Sequence, residues 1–141
     1  MSHKQFVTAF YTTSLFKLER AILKWAVSKP STDAQAERLA SGAADTFAAW
    51  HVEKRCENQL LMCDLHGRTR SWLMVAPLKT ESGAGTRLYF GSAVVPVEGA
   101  QTGALTLGLG FHALLGFHKV YSKALLSAAK SRLNAQRARL Q

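Results

Sequence analysis

Between residues 47 and 97 the chain runs through short segments rich in Val, Leu, Trp, Tyr and Phe, broken by turn-forming residues. This pattern predicts strands over residues 47–55, 59–66, 69–78 and 86–97, arranged as a four-stranded antiparallel meander. On either side the apolar period lengthens to that of a helix. Leu15, Leu18, Ile22, Leu23 and Trp25 fall on one stripe with Lys17, Arg20 and Lys24 between them, which predicts a helix capped by Thr13 or Ser14 and ended by Pro30. A shorter helix follows the start signal Ser31-Thr32-Asp33 and stops at Gly42. Residues 5–11 alternate weakly and are expected to add a first strand. From about Leu107 to Leu133, the spacing of Phe111, Leu114, Tyr121, Leu125 and Ala128 predicts a long amphipathic helix. Gly108, Gly110 and Gly116 each weaken it by about 1 kcal/mol relative to Ala, which moves its expected start towards His112.

The turn at Gly67-Arg68 fits a two-residue hairpin loop with glycine first. That register sets Cys63 opposite Trp72, Asp64 opposite Ser71 and His66 opposite Thr69, and puts Leu61, Cys63, Leu65, Trp72 and Met74 on one face. This face is expected to be the one turned to the core or to a cavity. Residues 79–85 and 98–103 are expected to be exposed connections.

A length of 141 residues with 48% hydrophobic positions suits one α+β domain spanning residues 1–141, large enough to fold around its own core. Cys56 and Cys63 are the only cysteines, and no apolar leader follows the first residues. Both features predict reduced thiols in a cytoplasmic protein. Residues 99–118 carry no Lys, Arg, Asp or Glu, but five glycines, two histidines and several polar residues argue against a membrane span there. The net charge of +9 is one-sided, because no acidic residue follows Glu98 while Lys119, Lys123, Lys130, Arg132, Arg137 and Arg139 all do. Such a segment can dock on an anionic membrane surface, which would make the protein membrane-peripheral, or simply keep a helix end solvated.

The segment 85–96 (Gly-Thr-Arg-Leu-Tyr-Phe-Gly-Ser-Ala-Val-Val-Pro), followed by residues 111–126 (Phe-His-Ala-Leu-Leu-Gly-Phe-His-Lys-Val-Tyr-Ser-Lys-Ala-Leu-Leu), resembles the C-terminal part of START-like, or SRPBCC, helix-grip proteins. The likeness is to uncharacterised bacterial members and covers about residues 47–135. It implies a curved antiparallel sheet gripping a long C-terminal helix, and with the helices read above the expected fold has one or two short N-terminal helices before the sheet. It also implies an apolar cavity between sheet and helix for a hydrophobic small molecule or lipid. The superfamily contains carriers, cyclases and hydrolases, so the fold alone selects no reaction.

Trp72, Met74, Tyr89, His118 and Tyr121 are the expected ligand-facing residues, with Trp50 as a further candidate for the cavity lining. The same aromatic residues would serve equally as sheet-to-helix packing. Asp64, His66 and Ser71 contain the ingredients of nucleophilic catalysis and offer a cyclase or hydrolase alternative, although a polar hairpin end uses the same residues. Cys56, Cys63 and His66 scatter over both faces of their strands, unlike the convergent ligands of a structural zinc, and His112 and His118 diverge by about 120 degrees on a helix. No cofactor is expected, since phosphate-binding and dinucleotide-binding glycine patterns are absent. No recognised nucleic-acid-binding motif appears either, which disfavours nucleic acid as a partner. The sequence therefore points first to ligand binding with no established catalysis, and second to a module that docks its basic C-terminal helix on anionic membrane or nucleic acid.

Overall fold

A computed structural model describes the backbone of all residues except 28–29, 81–82, 96, 99–104, 107–108 and 140–141. It describes the side chains of all others except 19, 22–27, 80, 97–98, 105–106 and 109–118. Three helices, α1 (His3–Tyr11), α2 (Ser14–Val27) and α3 (Asp33–Ser41), precede a run of strands, and a 30-residue helix α4 (Leu109–Ala138) closes the chain. The strands β1 (Thr46–Phe47), β2 (Trp50–Cys56), β3 (Gln59–Asp64), β4 (Thr69–Thr80) and β5 (Gly83–Val94) form one antiparallel sheet in sequence order. β6 (Val97–Glu98) and β7 (Leu105–Thr106) pair separately. The α+β class, the curved antiparallel meander and the long C-terminal helix are those expected from the sequence.

The first strand is not. Residues 5–11 lie in α1, because Ser2 and Gln5 form a reciprocal capping box at its start. Phe6, Val7, Ala9, Phe10 and Tyr11 are then buried on a helix, which makes three N-terminal helices rather than one or two. Thr13 caps α2 by accepting the Phe16 amide at 3.1 Å. α2 buries Phe16 and leaves Leu18 60% exposed, so its inward stripe is displaced from the expected one. The side chains of Ile22, Leu23 and Trp25 lie outside the described residues. α3 has a second capping box, Thr32 with Gln35, and ends at Gly42 with φ 80°, where a left-handed backbone favours glycine. The Arg55 guanidinium donates to the carbonyls of Leu39 (2.7 Å) and Ala44 (3.0 Å), tying the end of α3 to β2.

The hairpin joining β3 and β4 is longer than a two-residue loop. Leu61 pairs with Trp72, Met62 with Ser71 and Cys63 with Arg70, two positions away from the expected register. Asp64 is the cause, since its carboxylate accepts the backbone amides of Arg68 (2.6 Å) and Thr69 (3.0 Å) and so builds a wider, Asp-stabilised turn. Residues expected in a connection at 79–85 extend the next hairpin instead, with Lys79 paired to Ala84 and Thr80 to Gly83.

All four helices are on one side of the sheet's core. Leu60, Met62, Leu73 and Val75 point from β3 and β4 into a cluster with Phe6, Phe10, Leu39, Leu125, Ala129 and Leu133. A shift of two keeps Leu61, Cys63, Trp72 and Met74 on a shared face, but that face is the opposite one. The expectation that it faces the core is corrected by the complete burial of Leu60, Met62 and Leu73 on the helix side.

Candidate functional site

Where the sheet, α1, α2 and α4 meet, the packing leaves a cavity of about 220 Å³. Its aromatic wall comes from residues at the ends of their elements: Phe10 and Tyr11 close α1, Phe16 opens α2, and Trp50 opens β2. Phe90 completes it from β5, with its ring centroid 4.6 Å from that of Phe10. Tyr11 stands edge-on to Phe16 at 4.9 Å, so the rings lock one another in place. α4 contributes Tyr121, Ser122 and Leu125, which share one side of the helix at a spacing of three and four. Thr69 and Ser71 from β4 and Ser92 from β5 put hydroxyls on the sheet wall.

Among the described residues this lining carries no Asp, Glu, Lys, Arg or His. A bound charge would lose its hydration without gaining a counter-ion, so the chamber suits a neutral molecule. Its volume also limits the occupant. A cavity of about 150 Å³ accepts benzene, and drug-sized ligands occupy roughly 300–1,000 Å³. The hydroxyls can orient a polar substituent while the rings bury the rest.

Of the residues expected to face a ligand, Tyr121 lies in this chamber, and so does the further candidate Trp50. Trp72, Met74 and Tyr89 do not, because they project from the outer side of the sheet. The side chain of His118 lies outside the described residues. Phe10 and Tyr11 escape a sequence reading that takes residues 5–11 as a strand, and Phe16 escapes one that runs the inward stripe of α2 through Leu15 and Leu18. The capping pair Ser2 and Gln5 was the available signal for a helix over residues 5–11.

Asp64, His66 and Ser71 are not brought together. The Asp64 carboxylate supports the turn, His66 is exposed in that turn, and Ser71 pairs with Met62 and opens into the chamber. Cys56 is exposed and Cys63 buried, and neither is in a disulfide. Among the described residues no three His, Cys, Asp or Glu side chains converge as metal ligands, and no helix is long and apolar enough to cross a membrane.

Two ionisable groups near the core are displaced from their ordinary behaviour. Burial lowers the pKa of His3 and the nearby Arg55 charge lowers it further, against an opposing contact of Nε2 with the Leu73 carbonyl at 3.3 Å. Burial raises the pKa of Asp33, but its bonds to Lys17 and Arg20 outweigh this and hold the carboxyl below its usual range. Neither group lines the chamber, whose described residues offer rings and hydroxyls. No protein family, curated protein or solved structure matches the chain.

Proposed function

We propose that the protein binds a compact, neutral, hydrophobic small molecule between its sheet and its C-terminal helix, as the resemblance to START-like proteins implies. The observation that carries this reading is the chamber of about 220 Å³, whose lining among the described residues is uncharged and includes six aromatic side chains. Its size favours a single ring with a short substituent over a long acyl chain. A hydroxyl or carbonyl on that ring would meet Thr69, Ser71, Ser92 or Ser122.

Native mass spectrometry of the purified protein, intact and after organic extraction, tests for a stoichiometric occupant. Calorimetric titration with p-cresol then tests the chamber directly. Saturable binding to the wild type is expected, with at least a tenfold loss in Ser71→Phe, which fills the space, and no change in Trp72→Ala on the far face. Equal binding by the wild type and Ser71→Phe would refute the site.

The second reading, docking on anionic membrane, is supported by the surface of α4. Lys119, Lys123, Lys130 and Arg137 are exposed and spaced so that they fall within about 40 degrees of one another along roughly 27 Å of helix. Arg132 is exposed but leaves this column by about 140 degrees. This reading predicts vesicle binding that fades steeply with salt, whereas cavity binding should hardly change.

A further inference from the structure

The outer face of the sheet has a different character from the chamber. Its register aligns Lys54, Leu61, Trp72 and Gly91 in one row across β2, β3, β4 and β5, followed by Cys56, Gln59, Met74 and Tyr89 in the next. Trp72 is held flat in its row. Its Nε1 donates to Oε1 of Gln59 on β3 at 3.0 Å, while the other end of the indole reaches β5. There its Cε3 comes within 3.3 Å of where a Cβ of Gly91 would stand. A ring that touches both neighbouring strands lies across the sheet, and Trp72 is left partly exposed there. Tyr89 lies beside it, centroid to centroid 6.3 Å and tilted by 37°, so the two rings adjoin without covering one another.

Beside Trp72 is a depression of about 170 Å³ lined by Lys54, Cys56, Gln59 and Leu61. It combines an aromatic face, an apolar floor, an amide and an ammonium group. Because the Gln59 carbonyl oxygen is occupied by Trp72, the amide nitrogen is the end left to donate to a ligand. Basic side chains flank the rings along the strands, Arg70 two residues before Trp72 and Arg87 two residues before Tyr89. Arg70 is paired with Glu53 through two bonds of 3.0 and 3.1 Å. Among the described residues Lys54 and Arg87 have no ion-pair partner. Successive rows on this face are roughly 6–7 Å apart, so aromatic and cationic groups recur along a line.

We infer that this face binds single-stranded nucleic acid, its bases stacking on Trp72 and Tyr89 and its phosphates meeting Lys54 and Arg87. Stacking is tolerant of base identity and phosphate contacts are tolerant of sequence, so the recognition is of unpaired strands in general. A duplex keeps its bases stacked on one another and cannot offer them to the rings. The net charge of +9 favours the approach of such a polyanion. This inference is independent of the chamber and of the basic column on α4.

The test is fluorescence anisotropy with a fluorescein-labelled twelve-residue oligothymidylate, titrated with the full chain at 50 and 200 mM NaCl. Saturable binding at 50 mM is expected, weakened roughly tenfold or more by Trp72→Ala. The double variant Lys54→Glu, Arg87→Glu changes exposed side chains only and should also weaken binding and flatten its salt dependence. Lys130→Glu on α4 should change affinity by less than the double variant does. No binding of the oligomer at 50 mM overturns the inference, and so does equal or tighter binding of a duplex. Affinity that follows Lys130 while both outer-face variants bind normally overturns it as well, by assigning the binding to α4.

Discussion

Ala48 is the one non-glycine residue with a positive φ, 52°, among the described residues. It occupies the tight turn between Phe47 and Trp50, which are paired across β1 and β2. A side chain in the left-handed region costs about 1 kcal/mol or more, part of which glycine would return to unfolded-state entropy. Ala48→Gly should therefore raise stability by about 0.5 kcal/mol, seen as a Tm a few degrees higher in thermal unfolding. His3 sets a pH dependence of opposite sense to a salt-bridged histidine. Its folded pKa is lowered, chiefly by burial, so the unfolded chain binds its proton first as pH falls. The stability it contributes is complete above about pH 6.5, its unfolded pKa, and is lost as pH falls from there through the lowered folded value. Thermal unfolding at pH 7.5 and 5.5 should show a decline that His3→Gln reduces. Asp33 acts in a lower window: its depressed pKa gives stability above the unfolded value near 4 that is lost on further acidification.

The hairpin between β3 and β4 shows how one side chain sets the geometry of a whole element. Asp64→Ala removes the acceptor for two turn amides and should cost about 1–2 kcal/mol, measurable as a lower denaturant midpoint. That turn was only half legible in the sequence. Gly67 marked its place, but a loop held by an upstream carboxylate has no fixed length that glycine alone would announce. The strands were legible from their composition, and α3 from Thr32 and Gly42 at its two ends. Which face of the sheet turns inward was not legible. Leu60, Met62, Leu73 and Val75 alternate with Leu61, Cys63, Trp72 and Met74, so both faces of β3 and β4 are apolar and a period of two cannot choose between them. The inner face is marked by α1, whose Phe6 and Phe10 pack in one cluster with Leu60, Met62, Leu73 and Val75. Reading α1 as a strand removed the element that decides the matter. Tyr121 could be placed because its four-residue spacing from Leu125 on a helix was legible in the sequence.

At the scale of the whole molecule, the sheet separates two environments. Among the described residues its helix side is aromatic and uncharged at the chamber, and its outer side sets aromatic rings among basic groups. Phe10 touches Phe6, Tyr11, Phe16 and Phe90, and links the chamber wall to the rest of the core. Phe10→Ala should destabilise the fold by about 3–5 kcal/mol in chemical denaturation. Phe10→Leu keeps most of the volume and should cost far less while enlarging the chamber.

The positions of Trp50 and Trp72 give each side of the sheet its own optical reporter. Trp50 stands in the chamber wall, while Trp72 lies on the outer face against Gly91. With Trp25 replaced by Phe, the Trp72→Phe and Trp50→Phe variants become single emitters that view opposite environments. A molecule entering the chamber would change the colour and lifetime of Trp50 and leave Trp72 untouched, and a strand lying on the sheet would dim Trp72 alone. The pair of variants can thus report which of the two surfaces is occupied, without an attached dye.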